Sequence, residues 1–197
     1  MIHRVAGADI ASDLGHYLQQ ARDSLVASID GLSDYDIRRP MTPSGTNLLG
    51  LVKHVMGVEL GYLGACVGRP APFTLPWYDD GSVWEGADMW ATANETHEHL
   101  LELYRKTWRH SDGSFATLSL HTQAIVPWWP DGRRATTFGH LAARVVAETA
   151  QHVGHADIIR ELIDGRGGSD GNTIGDSAYW SGYVTKLQTI AEQFRKR

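Results

Sequence analysis

Between Leu141 and Leu162, the residues Leu141, Val145, Glu148, His152, His155, Ile159 and Leu162 recur at a four-three-four-three-four-three spacing. That is the period of a helix with one face turned to a core. Three ionisable groups interrupt this face. An unpaired buried carboxylate costs several kcal/mol, roughly, and a buried imidazole needs partners for both ring nitrogens. A fold that buries this line must therefore satisfy those groups from within.

The rest of the chain supplies helices to pack against it. Apolar or small residues at Ile10, Leu14, Tyr17, Ala21, Leu25, Ser28 and Leu32 predict a first helix over that span. Thr46 or Asn47 stands as the N-cap of a second, running through about Val67 with Leu51, Val55, Val58 and Tyr62 as its stripe. Gly57, Gly61 and Gly64 leave that helix open to close approach by a neighbour. The segment from Gly68 to Gly86 is rich in proline, glycine and aromatics and reads as a long ordered loop.

A third helix is expected from about Gly86 to His110, with Trp90, Ala93, His97, Leu101, Tyr104 and Trp108 along one side. Residues 114–132 hold either a short hairpin or extended loop, since Pro127 and Pro130 argue against a central strand. The fourth helix begins near Thr136 or Thr137 and stops before the glycines of DGRGGSDGN. A fifth occupies about Asp176 to Arg195, striped by Trp180, Val184, Leu187, Ala191 and Phe194. No repeat or composition shift divides the chain. The expectation is one all-α domain over residues 1–197, an antiparallel four-helix bundle with a long third connection; its core covers about 8–165, and an extra C-terminal helix covers about 176–195.

Composition narrows the function. A chain of 197 residues, 42% hydrophobic, can bury a substantial core without disulfide or metal staples. A formal charge of −5, with no basic run longer than the C-terminal FRKR, offers no footprint for nucleic acid or an anionic membrane. No apolar run approaches the ~20 residues of a bilayer span, and MIHRVAGADIASDLGH lacks the apolar core of a signal peptide. The single cysteine, Cys66, excludes an intrachain disulfide and makes a cytoplasmic location the default. There is no G-x-G-x-x-G, P-loop, G-x-S-x-G or C-x-x-C motif.

Glu148 and His152 lie one helical turn apart and can converge on a single point. His54, flanked on its own face by Leu51 and Val58, is the candidate third ligand. One carboxylate and two imidazoles suit one divalent ion, zinc first, with nickel, iron and manganese compatible with the same ligands. Three protein ligands leave a coordination position open, the pattern of a catalytic site. The same residues also allow a buried Glu–His ion pair with no ion, His155 donating to a nearby oxygen.

Other candidates have plainer roles. Cys66, in YLGACVG without a basic neighbour, reads as packing. His97 lies on the apolar side of its helix and is placed to reach the pocket, while His99 is solvated beside Glu95 and Glu102. His140 is a supporting candidate two turns before Glu148. Trp77, Tyr78, Trp84, Trp128 and Trp129 fall in the connections, where they cover one end of the core or wall a substrate pocket.

The stretches NLLGLVKHVMGVE and ETAQHVGHADIIRELIDG resemble the DinB superfamily of metal-binding helical bundles, in the branch close to mycothiol-dependent maleylpyruvate isomerase. The resemblance covers roughly Ile10 to Gly165 in helix order. It implies the same metal ligands, His54, Glu148 and His152. His155 falls where relatives carry glutamine or histidine, which implies a catalytic neighbour that orients water or substrate, or a fourth ligand. Arg144 departs from a histidine common one turn before the pair; it would bind a carboxylate of a substrate or thiol cofactor, or form a salt bridge.

The function implied is a divalent-metal-dependent S-transferase in which a low-molecular-weight thiol, mycothiol, attacks a small-molecule electrophile. The alternatives are a metal-dependent hydrolase using the same site with His155 as base, and a non-catalytic metal- or ligand-binding bundle. The aromatic content makes a homodimer plausible.

Overall fold

Four long helices, α1 (Ile10–Ala27), α3 (Leu48–Leu63), α5 (His97–Thr117) and α6 (Phe138–Asp164), carry the molecule. The computed structural model describes residues 9–166 and 176–195. Two short helices, α2 (Asp34–Arg38) and α4 (Pro76–Asp79), sit in the connections, and α7 (Ser177–Glu192) ends the described chain. A two-stranded antiparallel hairpin pairs β1 (Gln123–Ile125) with β2 (Ala135–Thr137), Ala124 facing Thr136, immediately before α6. Only β1 lies within residues 114–132, where the sequence allows a short hairpin or extended loop; β2 follows beyond that segment, and residues 114–117 extend α5.

Caps explain where the long helices start. The side chains of Asn47, Thr96 and Thr137 each accept from a backbone N–H three residues on, at 2.8, 3.2 and 3.3 Å. Gly165, with φ at 76° and the first of the glycines expected to stop this helix, closes α6, and the later ones, from residue 167 onward, lie outside the described residues.

Contacts fix the helix directions. Arg160, near the end of α6, donates to the carbonyls of Ser28 and Asp30 just past α1, while Leu18 packs with Phe138 and Leu141 near the start of α6. So α1 and α6 run parallel. Lys53 of α3 pairs with Glu95 just before α5, and Leu63 at the α3 end accepts from Ser114 near the α5 end, so α3 and α5 also run parallel. Tyr62 stacks with Arg144 while His54 meets His152, which sets α3 antiparallel to α6. Two helices run each way, and the 64–96 connection carries the chain back along the bundle so that α5 restarts beside the α3 N-terminus.

The expected third helix starts later and runs further. Gly81 and Gly86, at φ 78° and 82°, bracket a 3-10 turn, a second such turn spans Ala87–Met89, and Trp90 is extended. α5 then passes the expected stop at His110 because its small residues are buried: Ser111 and Ser114 are fully enclosed, and Ser114 Oγ donates to the Leu63 carbonyl at 2.7 Å. The first helix ends at Ala27, with Gly31 at φ 71° turning the chain toward α2.

Two apolar clusters, one around Leu25, Val52, Val55, Tyr104 and Ile159, the other around Leu18, Leu63, Phe138 and Val145, fill the bundle. Also buried is an ion pair that the periodicity did not mark, Arg22 to Glu59 at 2.6 Å. The segment Leu48–Val67 has the length and apolarity of a bilayer span, mean hydropathy 1.2, contrary to the sequence expectation, and 72% of that window is buried inside the bundle. By contrast, no described residue of α7 is buried, and Tyr179, Tyr183, Val184, Leu187, Ile190 and Phe194 face outward.

Candidate metal centre

A line of 3.5-residue spacing drifts about 20° per seven residues around a straight α-helix. The buried residues of α6 are Phe138, Leu141, Ala142, Val145, Thr149, Ala156, Ile159 and Arg160, so one edge of the expected stripe, Glu148, His155 and Leu162, turns out of the core as it advances while Val145 and Ile159 stay in it. Leu162 is 65% exposed and His155 is exposed as well. Glu148 and His152 fall at the margin, half-buried and facing α3. The polar break is thus a rim facing a cavity, with only its middle turned to a neighbouring helix.

His54 meets them there. His54 Nε2 lies 3.8 Å from Glu148 Oε1, and His152 Nε2 lies 3.4 Å from the same oxygen. One donor atom from each residue falls within 4.8 Å of the others. Ligands about 2.0–2.2 Å from a tetrahedral ion stand roughly 3.4 Å apart. The donor set and its spacing therefore fit a divalent cation with little movement. Burial first, then the neighbouring His54 ring, pushes the His152 imidazole below its ordinary value, which favours the neutral, ligating form.

Asp88 supplies the support that sequence inspection missed. Its Oδ2 lies 2.7 Å from His54 Nδ1, and the residue is 6% exposed. A proton on Nδ1 donated to this carboxylate leaves Nε2 free to ligate, the usual carboxylate–histidine arrangement. Asp88 sits on the second 3-10 turn, held against α3 where Asn47 Nδ2 donates to the Met89 carbonyl at 3.1 Å. Nearby, Lys53 Nζ reaches Glu95 at 2.9 Å and the Trp90 carbonyl at 3.1 Å, over the Trp77 ring at 4.1 Å. No local motif announces Asp88; its role arises from the crossover packing on α3.

A cavity of about 520 Å³ opens beside His54 and Glu148, walled by Tyr62, Tyr78, Trp84 and Trp128, with Asp88 and Arg144 among its other polar groups. Gly57 makes room for this wall, since a Cβ there would stand 2.6 Å from Tyr78 Cε2. The neighbours admitted by Gly57 and Gly61 are thus Tyr78 and Trp128, from connections rather than from a helix. Trp77 is buried away in the core.

The remaining candidates take separate positions. Arg144 lines the cavity, 4.0 Å from Glu148 Oε2, with its guanidinium over the rings of Tyr62 at 5.3 Å and Trp129 at 5.9 Å. His155 Nδ1 lies 3.4 Å from His152 Nδ1, on its solvent side. His140 rests edge-on to Trp129 at 5.9 Å and lines an adjoining cavity. His97 does not join the centre: starting a helix shorter at its N-terminus than expected, it pairs with Asp34 at 3.3 Å and Glu98 at 3.2 Å and lines a different cavity. Cys66 is buried, and burial pushes its thiol up to about 11, which rules against a nucleophilic role.

Among known families, a family model described as mycothiol-S-transferase matches residues 13–165, spanning α1 through α6. No curated protein matches the chain.

Proposed function

Because the chain belongs to the mycothiol S-transferase family, which is DinB-like, we propose that it is a divalent-metal-dependent enzyme that transfers a low-molecular-weight thiol, mycothiol, to a small electrophile. The observation carrying this reading is the convergence of His54, Glu148 and His152 beside an aromatic-walled cavity of about 520 Å³. Zinc is the preferred ion, and nickel, iron and manganese suit the same ligands. When bound, such a cation lowers the pKa of a coordinating thiol so that the thiolate predominates near neutral pH.

The chain's own residues do the rest. Asp88 fixes the His54 tautomer, and the neutral His152 and the Glu148 carboxylate complete the donor set. His155, on the solvent side of His152, orients water or substrate and carries the displaced thiol proton outward. Arg144 binds ligand from the cavity wall. The walls of Tyr78, Trp84 and Trp128 hold the electrophile and limit water around the sulfur. Single-cysteine usage supports a reducing, cytoplasmic setting, and the outward apolar line of α7 supports a homodimer in which two such helices pair.

The test is elemental analysis of untagged protein beside His54→Ala, Glu148→Ala and His152→Ala, followed by thiol-dependent conjugation of 1-chloro-2,4-dinitrobenzene. About one metal per chain, lost in each variant with helical circular dichroism intact, and turnover only with added thiol are expected. No metal after reconstitution with the four ions, or turnover indifferent to thiol, overturns the reading.

A further inference from the structure

The metal-facing cavity has a neighbour. A second cavity of about 590 Å³ lies under the hairpin, lined by Trp129, Arg133, Thr136 and His140, and Arg144 lines both. Tyr62 stands at the same seam: its hydroxyl oxygen accepts from Trp128 Nε1 and from Trp129 Nε1, each at 3.2 Å. Trp128 lines the first cavity and Trp129 the second.

A phenol oxygen has two acceptor positions and one proton. With both indoles donating, the acceptor positions are filled, and the proton is left for an acceptor that no described residue supplies. The Arg144 guanidinium lies over the same Tyr62 ring at 5.3 Å. Among the described residues its one carboxylate neighbour is Glu148 at 4.0 Å, too long for a charge-assisted hydrogen bond. Glu148 is also the oxygen ligand of the candidate metal centre, so its charge is claimed from the other side. Arg133, further into the hairpin cavity, has no described acceptor for its guanidinium, whereas Asp131 is taken up by Arg134 at 3.1 Å. The seam therefore gathers donors and positive charge without a matching acceptor.

We propose that Arg144 and the Tyr62 hydroxyl form an anion-binding subsite at the seam of the two cavities, and that it selects electrophiles carrying a carboxylate. The guanidinium offers the planar fork that fits a carboxylate, and Tyr62 adds a third donor. Arg133 extends the positive lining away from the metal ligands, so the anionic end lies under the hairpin and the reacting end faces His54 and Glu148. The identity of the electrophile rests on the S-transferase reading; the subsite itself is a matter of binding.

Binding separates the two. The probes are 3-nitrobenzoate and 3-nitrobenzamide, equal in shape and different in charge, titrated calorimetrically into zinc-loaded and zinc-free protein and into Arg144→Gln and Tyr62→Phe. The parent is expected to prefer the carboxylate by about tenfold or more, the range of a charge-assisted hydrogen bond. That preference should fall to near unity in Arg144→Gln and by roughly threefold in Tyr62→Phe, with metal content and circular dichroism unchanged. No preference in the parent, or one that survives Arg144→Gln, overturns the proposal. A preference that vanishes on zinc removal and ignores Arg144→Gln overturns it too, since the metal then takes the carboxylate. Should thiol-dependent turnover be absent while the Arg144-dependent preference persists, the S-transferase reading fails and the subsite stands.

Discussion

Replacing Asp88 by asparagine exchanges one oxygen for an amide nitrogen and asks whether His54 is held by charge. For His54 to offer Nε2 to a cation, its ring proton must sit on Nδ1, facing Asp88 Oδ2 at 2.7 Å, which is the length of a charge-assisted N–H···O bond. Asparagine keeps the shape but presents either a neutral oxygen or an amide N–H that clashes with the ring proton. Asp88 is 6% exposed, so solvent cannot stand in. Loss of such a supporting carboxylate weakens metal binding by about 10- to 100-fold, or about 1.4–2.7 kcal/mol.

The assay is competition for zinc against a chromophoric chelator, with circular dichroism to confirm the helices. A dissociation constant within about threefold of the parent would refute the carboxylate–histidine argument. A cycle with His54→Ala sharpens it: once His54 is gone, Asp88→Asn should have no further effect on metal affinity. An equal loss in both backgrounds would mean that Asp88 acts by some route other than the imidazole.

Other outcomes are accessible to simple measurements. Gly50→Ala drives a methyl into the Met89 carbonyl beside Asp88, and should lower stability by about 1–3 kcal/mol in urea unfolding and weaken zinc binding with it; parent-like behaviour in both would contradict the close packing of the turn. Cys66, with its thiol pushed up to about 11, should react with iodoacetamide at pH 8 roughly two hundredfold slower than an ordinary thiol, speeding up only as pH nears 11. The sign for stability follows: the unfolded thiol ionises first, so this contribution is complete below about pH 8.5 and is lost as pH rises through about 11. Fast labelling of native protein at pH 8 would contradict it. Truncation after Arg166 should move the melting temperature by less than about 2 °C, since no described residue of α7 is buried, while converting the proposed homodimer to a monomer in light scattering; a larger drop would show that α7 supports the bundle.

The parts of the site that were legible from sequence are those tied by helical period. Glu148 and His152 are four residues apart on one helix, and His54 stands between Leu51 and Val58 on another, so spacing alone nominated all three. The N-caps were legible to within one residue, as Thr46 or Asn47 and as Thr136 or Thr137, and the second of each pair caps its helix. Period failed where small errors accumulate: a 3.5-residue line over 22 residues drifts by roughly 60°, which carries Leu162 and His155 out of the core. It failed again for α5, whose true N-cap, Thr96, was passed over in favour of an apolar line through Trp90 and Ala93. Asp88 and the double acceptance by Tyr62 lie beyond any periodic argument. They join residues 34 and 66 or 67 positions apart through the crossover and the hairpin, and nothing in the local sequence requires those partners.

The anchoring of the crossover sets the route by which small molecules come and go. The strip bearing Asp88 is fastened at Asn47, at Gly50 and at Lys53, so swinging it outward would break a buried lysine's contacts and release His54 at once. The opposite bank is Trp128 and Arg144, each more than 40% exposed, on the hairpin and on α6. The hairpin bank is tied more lightly, Trp128 Nε1 donating to the Tyr62 hydroxyl at 3.2 Å, and its movement would leave Asp88 on His54. A molecule entering from that side would meet the Arg144 guanidinium, which lines the same cavity as His54.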